Sequence, residues 1–334
     1  MGLLEDGACL AFLPTIITSP LETYASNLPL LADIIEDTMR VESSNRSDVY
    51  DHCGDSGSPV LLPSDSLLGI HLEGPFISPE PGAVGCHPPE HTRAPSIKEL
   101  RQWQTLARGH IKLLTIAAEL EGAEELCRAA VQEMGITVSL GHQLAGGEEV
   151  RRLVRAGATL CTHLGNGMPN MIHRHKNAIW TSLADDRLSA MLITDGEHLP
   201  DDTITTFVRA KGSERIIITS DVAPVAGLAS GIYAWGSTMV RVEDTRVRAA
   251  DLPCLAGSGS LMLHCMNHLA SIQVGGGGWL LSPEQLGYVA FDNPLNALGV
   301  SPEMVHRLRG RRHVIVFEDD GEQRWFKKKD FCLS

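Results

Sequence analysis

Short apolar runs alternate with longer amphipathic stretches along the first two thirds of the chain. The runs lie at 9–18, 67–76, 111–118, 137–142, 160–166, 188–195 and 215–221. Pieces such as IIITSD and LLTIAA are apolar without alternation, the pattern of strands buried on both faces of a parallel sheet. Between the runs, helical patterns occupy 20–39, 96–108, 122–134, 147–156, 177–184 and 200–211. Each opens near a Pro, Ser, Gly or Asn, as helix N-termini prefer. Repeated βα units over more than half the chain predict a doubly wound sheet or a TIM barrel. Seven strands are expected, where a TIM barrel has eight.

The rest of the chain breaks that rhythm. Residues 41–66 are rich in Ser, Asp and Gly and are read as an irregular insertion. After Asp221 come strand-like pieces at 231–243, a helix at 258–273, a Gly run at 275–278 read as a flexible link, and a helix at 282–298. The tail, 313–317 and 323–327, reads as a β-hairpin with Asp-Asp-Gly at 319–321 as its turn.

Charge and composition narrow the function. The chain has 28 basic and 41 acidic residues, a net charge of −13. That balance argues against a nucleic-acid partner, which rewards clustered Lys and Arg, and against an anionic membrane surface. An apolar fraction of 43% suits a globular fold. No run of about 18 apolar residues suggests a membrane span. The start, MGLLEDGACLAFLP, lacks the basic region of a secretory signal. Eight Cys without a CxxC spacing read as reduced thiols, so a cytoplasmic location is expected. Fourteen His against seven Phe direct attention to metal or acid–base chemistry.

The polar residues gather at strand ends: Glu73 in HLEGPF, His142 in SLGH, His163 in THLGN, His198 in DGEHLP and Asp221 in TSD. In an α/β barrel the carboxyl ends of the strands share one face, so these side chains should converge. One carboxylate and two imidazoles can bind a catalytic cation with a position open for water, and a further Asp can act as base. Other candidates read as structural. His71 is taken as packing or support, Asp195 as a loop cap, and His264 and His268, four apart on a helix, as structural. Arg174 lies in a basic run, IHRHKN, that also suits a solvated loop. Apart from Cys86, the cysteines read as small apolar groups.

Taken in order, LGIHLEGPFISPEPGAVGCHPPE, VSLGHQLA, CTHLGNGMP, ITDGEHLP, ITSDVAPVAG and LAGS resemble the N-acetylglucosamine-6-phosphate deacetylases of the amidohydrolase superfamily. The resemblance runs from about Gly7 to Gly299. It implies a metal-dependent hydrolase that removes acetyl from an N-acetyl amino sugar, N-acetylglucosamine 6-phosphate foremost. It implies Glu73, His142 and His163 as ligands of one divalent ion per chain, zinc first, with iron, manganese or cobalt as alternatives. Asp221 is then the base that activates water and afterwards protonates the amine. His198 contacts substrate near the scissile amide, Cys86 and His87 touch the sugar, Asn166 and Gly167 form a phosphate- or sugar-binding turn, and Leu255, Ala256 and Gly257 line the substrate. Arg174 reaches the phosphate in the neighbouring subunit of a homodimer. Other readings stay open: a related hydrolase of another amide or cyclic substrate, or an inactive metal-binding remnant.

The chain departs from the family pattern in two places. The common THLFNAM is THLGNGM here, and Gly165 and Gly167 are expected to loosen that turn. The family's first barrel strand, often with an HxH metal pair, has no counterpart before the 9–18 run. The expected architecture is thus an α/β, TIM-type barrel over 1–299 lacking its first strand, with a gap beside the 9–18 run. Residues 300–334 are expected to be a C-terminal β remnant of a small domain.

Overall fold

Seven parallel strands lie side by side in chain order in the computed structural model, which describes residues 9–44, 66–301, 304 and 313–330. They are β1 (Thr15–Ile17), β2 (Ile70–Glu73), β3 (Ile111–Ile116), β4 (Thr137–Leu140), β5 (Leu160–Cys161), β6 (Ser189–Leu192) and β7 (Ile216–Ile218). Each falls inside an apolar run of the sequence, trimmed at its ends. Register runs from Ile17 opposite Glu73, through Glu73 opposite Thr115, to Thr115 opposite Ser139. The sheet curls into a half-barrel of TIM type. Among the described residues β1 and β7 are the two edges of the sheet, each pairing on one side only. On β7 the edge is covered in part: Asn293 donates its side-chain amide to the carbonyls of Ser213 and Ile216, both at 2.7 Å. Such capping blunts an open edge.

Helices α1 (Leu21–Ser44), α2 (Ile97–Leu106), α3 (Ala123–Met134), α4 (Gly147–Ala156), α5 (Ala178–Ala184) and α6 (Asp201–Lys211) join successive strands. Their starts follow the expected chemistry. Ser96 accepts from the Glu99 amide at the head of α2, and Asn177 accepts from the amides of Ile179 and Trp180 at the head of α5. Beneath them the fully buried Ile70, Leu72, Leu114, Ile116, Leu140, Leu192 and Ile216 form the core, each contributing about 1.5–3 kcal/mol by leaving water. Tyr24 of α1 stacks on Trp103 of α2 with ring centroids 4.5 Å apart, and Phe76 stacks on the same indole at 5.5 Å. Those rings fix the segment that follows Glu73, the last residue of β2.

A second, smaller sheet follows β7. It is antiparallel and comprises β8 (Gly231–Trp235), β9 (Thr238–Glu243), β10 (Arg246–Ala249) and β11 (Leu255–Ser258). Its own core is Ala223, Val225, Val240, Val242, Val247 and Ala256. Only β8 and β9 match the sequence reading. In β10 the arginines face out while Val247 and Ala249 are buried, an alternation masked by its charge.

Helix α7 (Met262–Ser271) comes next, then a two-stranded hairpin of β12 (Gln273–Val274) and β13 (Gly278–Trp279). The Gly run is the tip of this hairpin, not a free link: Gly276 and Gly277 adopt positive φ to turn the chain. Helix α8 (Pro283–Gly287) opens with a Ser282–Gln285 capping box, continues as a π turn over Tyr288–Asp292 and ends in α9 (Asn293–Ala297). Ala297 and Leu298 close the barrel floor against Leu113, Leu160, Met191 and Ile217.

The expected terminal hairpin forms from β14 (His313–Asp319) and β15 (Arg324–Asp330). Asn267 of α7 clamps it by bonding both the N–H and the carbonyl of Phe326. Most of the expected 41–66 insertion lies outside the described residues. Among the described residues no helix is long and apolar enough to cross a membrane.

Candidate metal centre and active site

The strand ends deliver Glu73, His142 and His163 to one point. Glu73 Oε1 lies 3.1 Å from His142 Nε2 and 2.9 Å from His163 Nε2, and the two imidazole nitrogens are 3.0 Å apart. All three residues are buried. His142 Nδ1 donates to the Ala83 carbonyl at 2.8 Å, which leaves Nε2 of the neutral ring bare and aimed at the Glu73 oxygen. Two acceptors facing one another call for a shared proton or a cation between them. Tetrahedral zinc with Zn–N near 2.0–2.1 Å sets its ligand atoms roughly 3.3 Å apart, so the trio fits such an ion after opening by a few tenths of an ångström.

The electrostatics agree. Burial alone raises Glu73, yet the two imidazole hydrogen bonds hold its carboxyl well below the usual range. Burial alone lowers His163, but the Glu73 hydrogen bond and charge outweigh it and raise the imidazole. The site thus binds positive charge, whether proton or cation.

A fourth imidazole stands close by. Glu73, His87 and His142 also offer ligand atoms within 4.8 Å of one another. The hydrogen bonds decide against His87 as a ligand. Its Nδ1 accepts from the Thr18 backbone N–H at 3.3 Å and meets Thr18 Oγ1 at 3.0 Å. The ring proton therefore sits on Nε2, a donor suited to a substrate oxygen. Burial pushes His87 down to about 3, so the ring is neutral.

Backbone strain marks the same site. Among the described residues five non-glycine residues have positive φ, and three of them are His142 (51°), His163 (30°) and Asp221 (49°). This conformation costs of order 1–3 kcal/mol for such residues and persists where surrounding structure enforces it. Asp221 follows β7, where its carbonyl accepts from the Ser258 N–H at 2.7 Å. Burial first, and then the Glu73 charge, push its carboxyl up. A carboxylate biased toward holding a proton suits proton transfer at a nearby water.

The remaining candidates fall at varied distances from this centre. Cys86 is half-buried; burial, then the charges of Asp221 and Glu73, raise its thiol. Asn166 turns its amide back onto the His163 carbonyl at 3.3 Å. Gly167 packs on the centre: a Cβ there would stand 3.1 Å from both His142 Nδ1 and His163 Cε1. Gly165, at φ 97°, is equally hemmed in, with Leu199 2.9 Å from the space a Cβ would take. The glycine turn is therefore tight, contrary to the expected loosening. Leu255, Ala256 and Gly257 form strand β11 instead of a turn, and Gly257 lies against the Asp221 carbonyl. Arg174 is not brought to the centre. It sits on an exposed loop, its carbonyl accepting from the Trp180 indole at 2.7 Å.

Two residues set aside as structural have clear partners. His268 pairs with Asp201 at 2.8 Å, and His264 bonds the Asp195 carbonyl at 3.3 Å. His71 lies under Glu73 in a chain of polar groups across the barrel, meeting Thr115 Oγ1 at 2.9 Å, which in turn meets Thr162 Oγ1 at 2.8 Å. Sequence reasoning missed Thr18, Ala83 and Ser258 as supports, and no local pattern marks them.

A TIM-type half-barrel with a carboxylate and two imidazoles converging at its strand ends defines a class of protein whose strand-end residues could hold a metal ion. The comparisons with known proteins give that class a narrower identity. No protein-family model matches the chain. N-acetylglucosamine-6-phosphate deacetylase of Bacillus subtilis (strain 168) is 38% identical over 192 residues, 58% of this chain and 48% of that protein. The Bos taurus enzyme of the same name is 30% identical over 320 residues, 93% of this chain and 68% of its own length. A solved structure of N-acetylglucosamine-6-phosphate deacetylase from Thermotoga maritima superposes with a TM-score of 0.72 at 25% identity, covering 96% of this chain and 80% of that one. The chain belongs to the N-acetylglucosamine-6-phosphate deacetylase family, and it spans about half the length of the Bacillus relative.

Proposed function

We propose that the chain hydrolyses the acetamide of an N-acetyl amino sugar 6-phosphate, N-acetylglucosamine 6-phosphate first, to the amino sugar and acetate. The observation that carries this reading is the Glu73–His142–His163 trio, with ligand atoms 2.9–3.1 Å apart, in a chain of deacetylase ancestry. These three residues would hold one divalent ion, zinc by preference for an N/N/O set, with iron, manganese or cobalt as substitutes. The chemistry such an ion supplies is polarisation of the amide carbonyl and acidification of water.

The chain's own groups do the rest. Asp221 accepts the proton of the attacking water and passes it to the departing amine nitrogen. His198 contacts the substrate beside the scissile amide. The Nε2–H of His87 and the thiol of Cys86 meet the sugar, while Asn166, the Gly167 backbone and the Leu255–Gly257 strand shape its pocket. Arg174 reads the phosphate in a neighbouring subunit of a homodimer. Its exposed guanidinium makes no ion pair among the described residues, and Met171 and Trp180 beside it are 89% and 54% exposed, an apolar surface suited to a second copy. Residues 300–334 are assigned as what this chain has of the family's small β domain.

The test is acetate release by the purified full chain loaded with zinc. The substrates are N-acetylglucosamine 6-phosphate, its galacto epimer and unphosphorylated N-acetylglucosamine. Turnover of the phosphorylated sugars well above the free sugar supports the reading; no release from any of them refutes it.

A further inference from the structure

We propose that Ser258 and Asp195 form a positioning relay that holds the His198 imidazole in one tautomer and one orientation, with Nε2 alone open to the site. The inference rests on the reading of His198 as a substrate contact and adds the residues that set its state.

Asp195 ends the run that follows β6 and is 3% exposed. An aspartate there needs only one oxygen to cap its loop, and Oδ1 does so, accepting from the backbone N–H groups of Glu197 at 2.9 Å and His198 at 3.0 Å. Oδ2 has a different task. It accepts from His198 Nδ1 at 2.8 Å and from Ser258 Oγ at 2.6 Å. A carboxylate oxygen is acceptor-only, so the His198 proton on this side must sit on Nδ1. Nε2 is then the bare nitrogen of the ring, an acceptor.

Ser258 supplies the second half of the device. It is 1% exposed and belongs to β11 of the small sheet, 63 residues from Asp195. Its hydroxyl proton goes to Asp195 Oδ2, while its oxygen accepts from the Ser260 N–H at 3.0 Å, so the hydroxyl cannot rotate freely. Its backbone holds the other side of the site. The Ser258 N–H donates to the Asp221 carbonyl at 2.7 Å and its carbonyl accepts from the Ala223 N–H at 2.8 Å. One residue therefore fixes the proposed base through its main chain and the proposed substrate histidine through its side chain. The small antiparallel sheet thereby becomes part of the active site, setting how two of its groups face one another.

The relay and a simple loop cap make opposite predictions for Asp195→Asn. The amide keeps an oxygen for the two backbone N–H groups but puts an NH₂ donor where Oδ2 was. A donor facing Nδ1 requires the ring proton to move to Nε2. Behind a working imidazole, such a swap has cost up to about 10⁴-fold in kcat in a hydrolase that depends on it.

The experiment uses the zinc-loaded full chain, Asp195→Asn and Ser258→Ala, with ¹⁵N-histidine labelling and His198→Gln to assign the His198 signals. The expected wild-type spectrum shows a protonated Nδ1 and a bare Nε2, and Asp195→Asn reverses the two. With N-acetylglucosamine 6-phosphate, kcat is expected to fall at least about 100-fold in Asp195→Asn. Ser258→Ala should lose about tenfold, with KM within about threefold in both variants and both still folded, the melting temperature lowered by a few degrees at most. An unaltered tautomer in Asp195→Asn, or wild-type kcat in that variant, overturns the relay. Should the wild-type chain release no acetate, the proposed function fails, while the ¹⁵N spectra still decide the relay.

Discussion

His142 Nε2 and His163 Nε2 face each other across 3.0 Å, and Glu73 Oε1 stands within 3.1 Å of both. His142 has spent its ring proton on the Ala83 carbonyl, so a single proton on His163 Nε2 would have to be shared between two acceptors, whereas one cation serves all three atoms. One divalent ion per chain is therefore expected in the purified protein. Glu73→Ala, His142→Ala and His163→Ala should each lose it by elemental analysis. Chelation should lower the melting temperature, and at a free metal concentration 100 times Kd the ion adds about 2.7 kcal/mol of stability. Unchanged metal content in the two histidine variants contradicts the assignment.

Lys211 is 2% exposed and donates to the carbonyls of Ser182 at 3.0 Å and Asp185 at 2.8 Å. These carbonyls lie at the end of α5, where a cation also meets the negative end of the helix dipole. Lys211→Ala strips the Ser182 carbonyl of its lysine donor and leaves a cavity, while the Asp185 carbonyl keeps the Leu188 N–H at 3.1 Å, so the loss should be about 2 kcal/mol or more in denaturant unfolding. Lys211→Met refills the space but not the hydrogen bonds and should recover only part of it. A loss under about 1 kcal/mol in both variants shows that the carbonyls find other partners.

The seven strands were legible because strands such as β3 and β7 are buried on both faces and read as uninterrupted apolar runs. The meeting of Glu73, His142 and His163 was legible for a related reason, since each is a polar residue at the end of such a strand. The failures have physical causes as well. Strand β10 is half solvated, and Arg246 and Arg248 hid the alternation of Val247 and Ala249. The Ser258–Asp195 contact joins residues 63 apart, and no local pattern encodes it. The tautomer of His87 depends on Thr18, 69 residues away, and is likewise invisible to spacing.

Arg174→Ala separates phosphate reading from catalysis. The exposed guanidinium suits bidentate binding of a phosphate. The variant should raise KM for N-acetylglucosamine 6-phosphate about 10-fold or more, while leaving kcat/KM for the unphosphorylated sugar within about twofold. Equal effects on the two sugars remove the phosphate role. Light scattering checks the other half: a dimer is expected, and Met171→Glu, on the neighbouring apolar surface, should weaken it.

The pH profile reports on Asp221. Burial and the Glu73 charge raise its carboxyl, so the base form is depleted as pH falls through that raised value. On the acid side, kcat/KM should therefore decline at higher pH than an ordinary carboxylate, near 3.9, would give. An acid limb at or below that ordinary value shows that Asp221 is not the titrating base.

Acetate release measured side by side for the zinc-loaded wild type and Asp221→Asn, with N-acetylglucosamine 6-phosphate, tests the central claim most directly. Asn keeps the shape of the side chain but cannot take a proton at neutral pH. The account predicts turnover in the wild type and a fall of about 10⁴-fold in Asp221→Asn, the upper end for general acid–base catalysis, with bound metal and melting temperature retained. Wild-type turnover in Asp221→Asn, or a wild-type protein that binds its metal and releases no acetate, contradicts it.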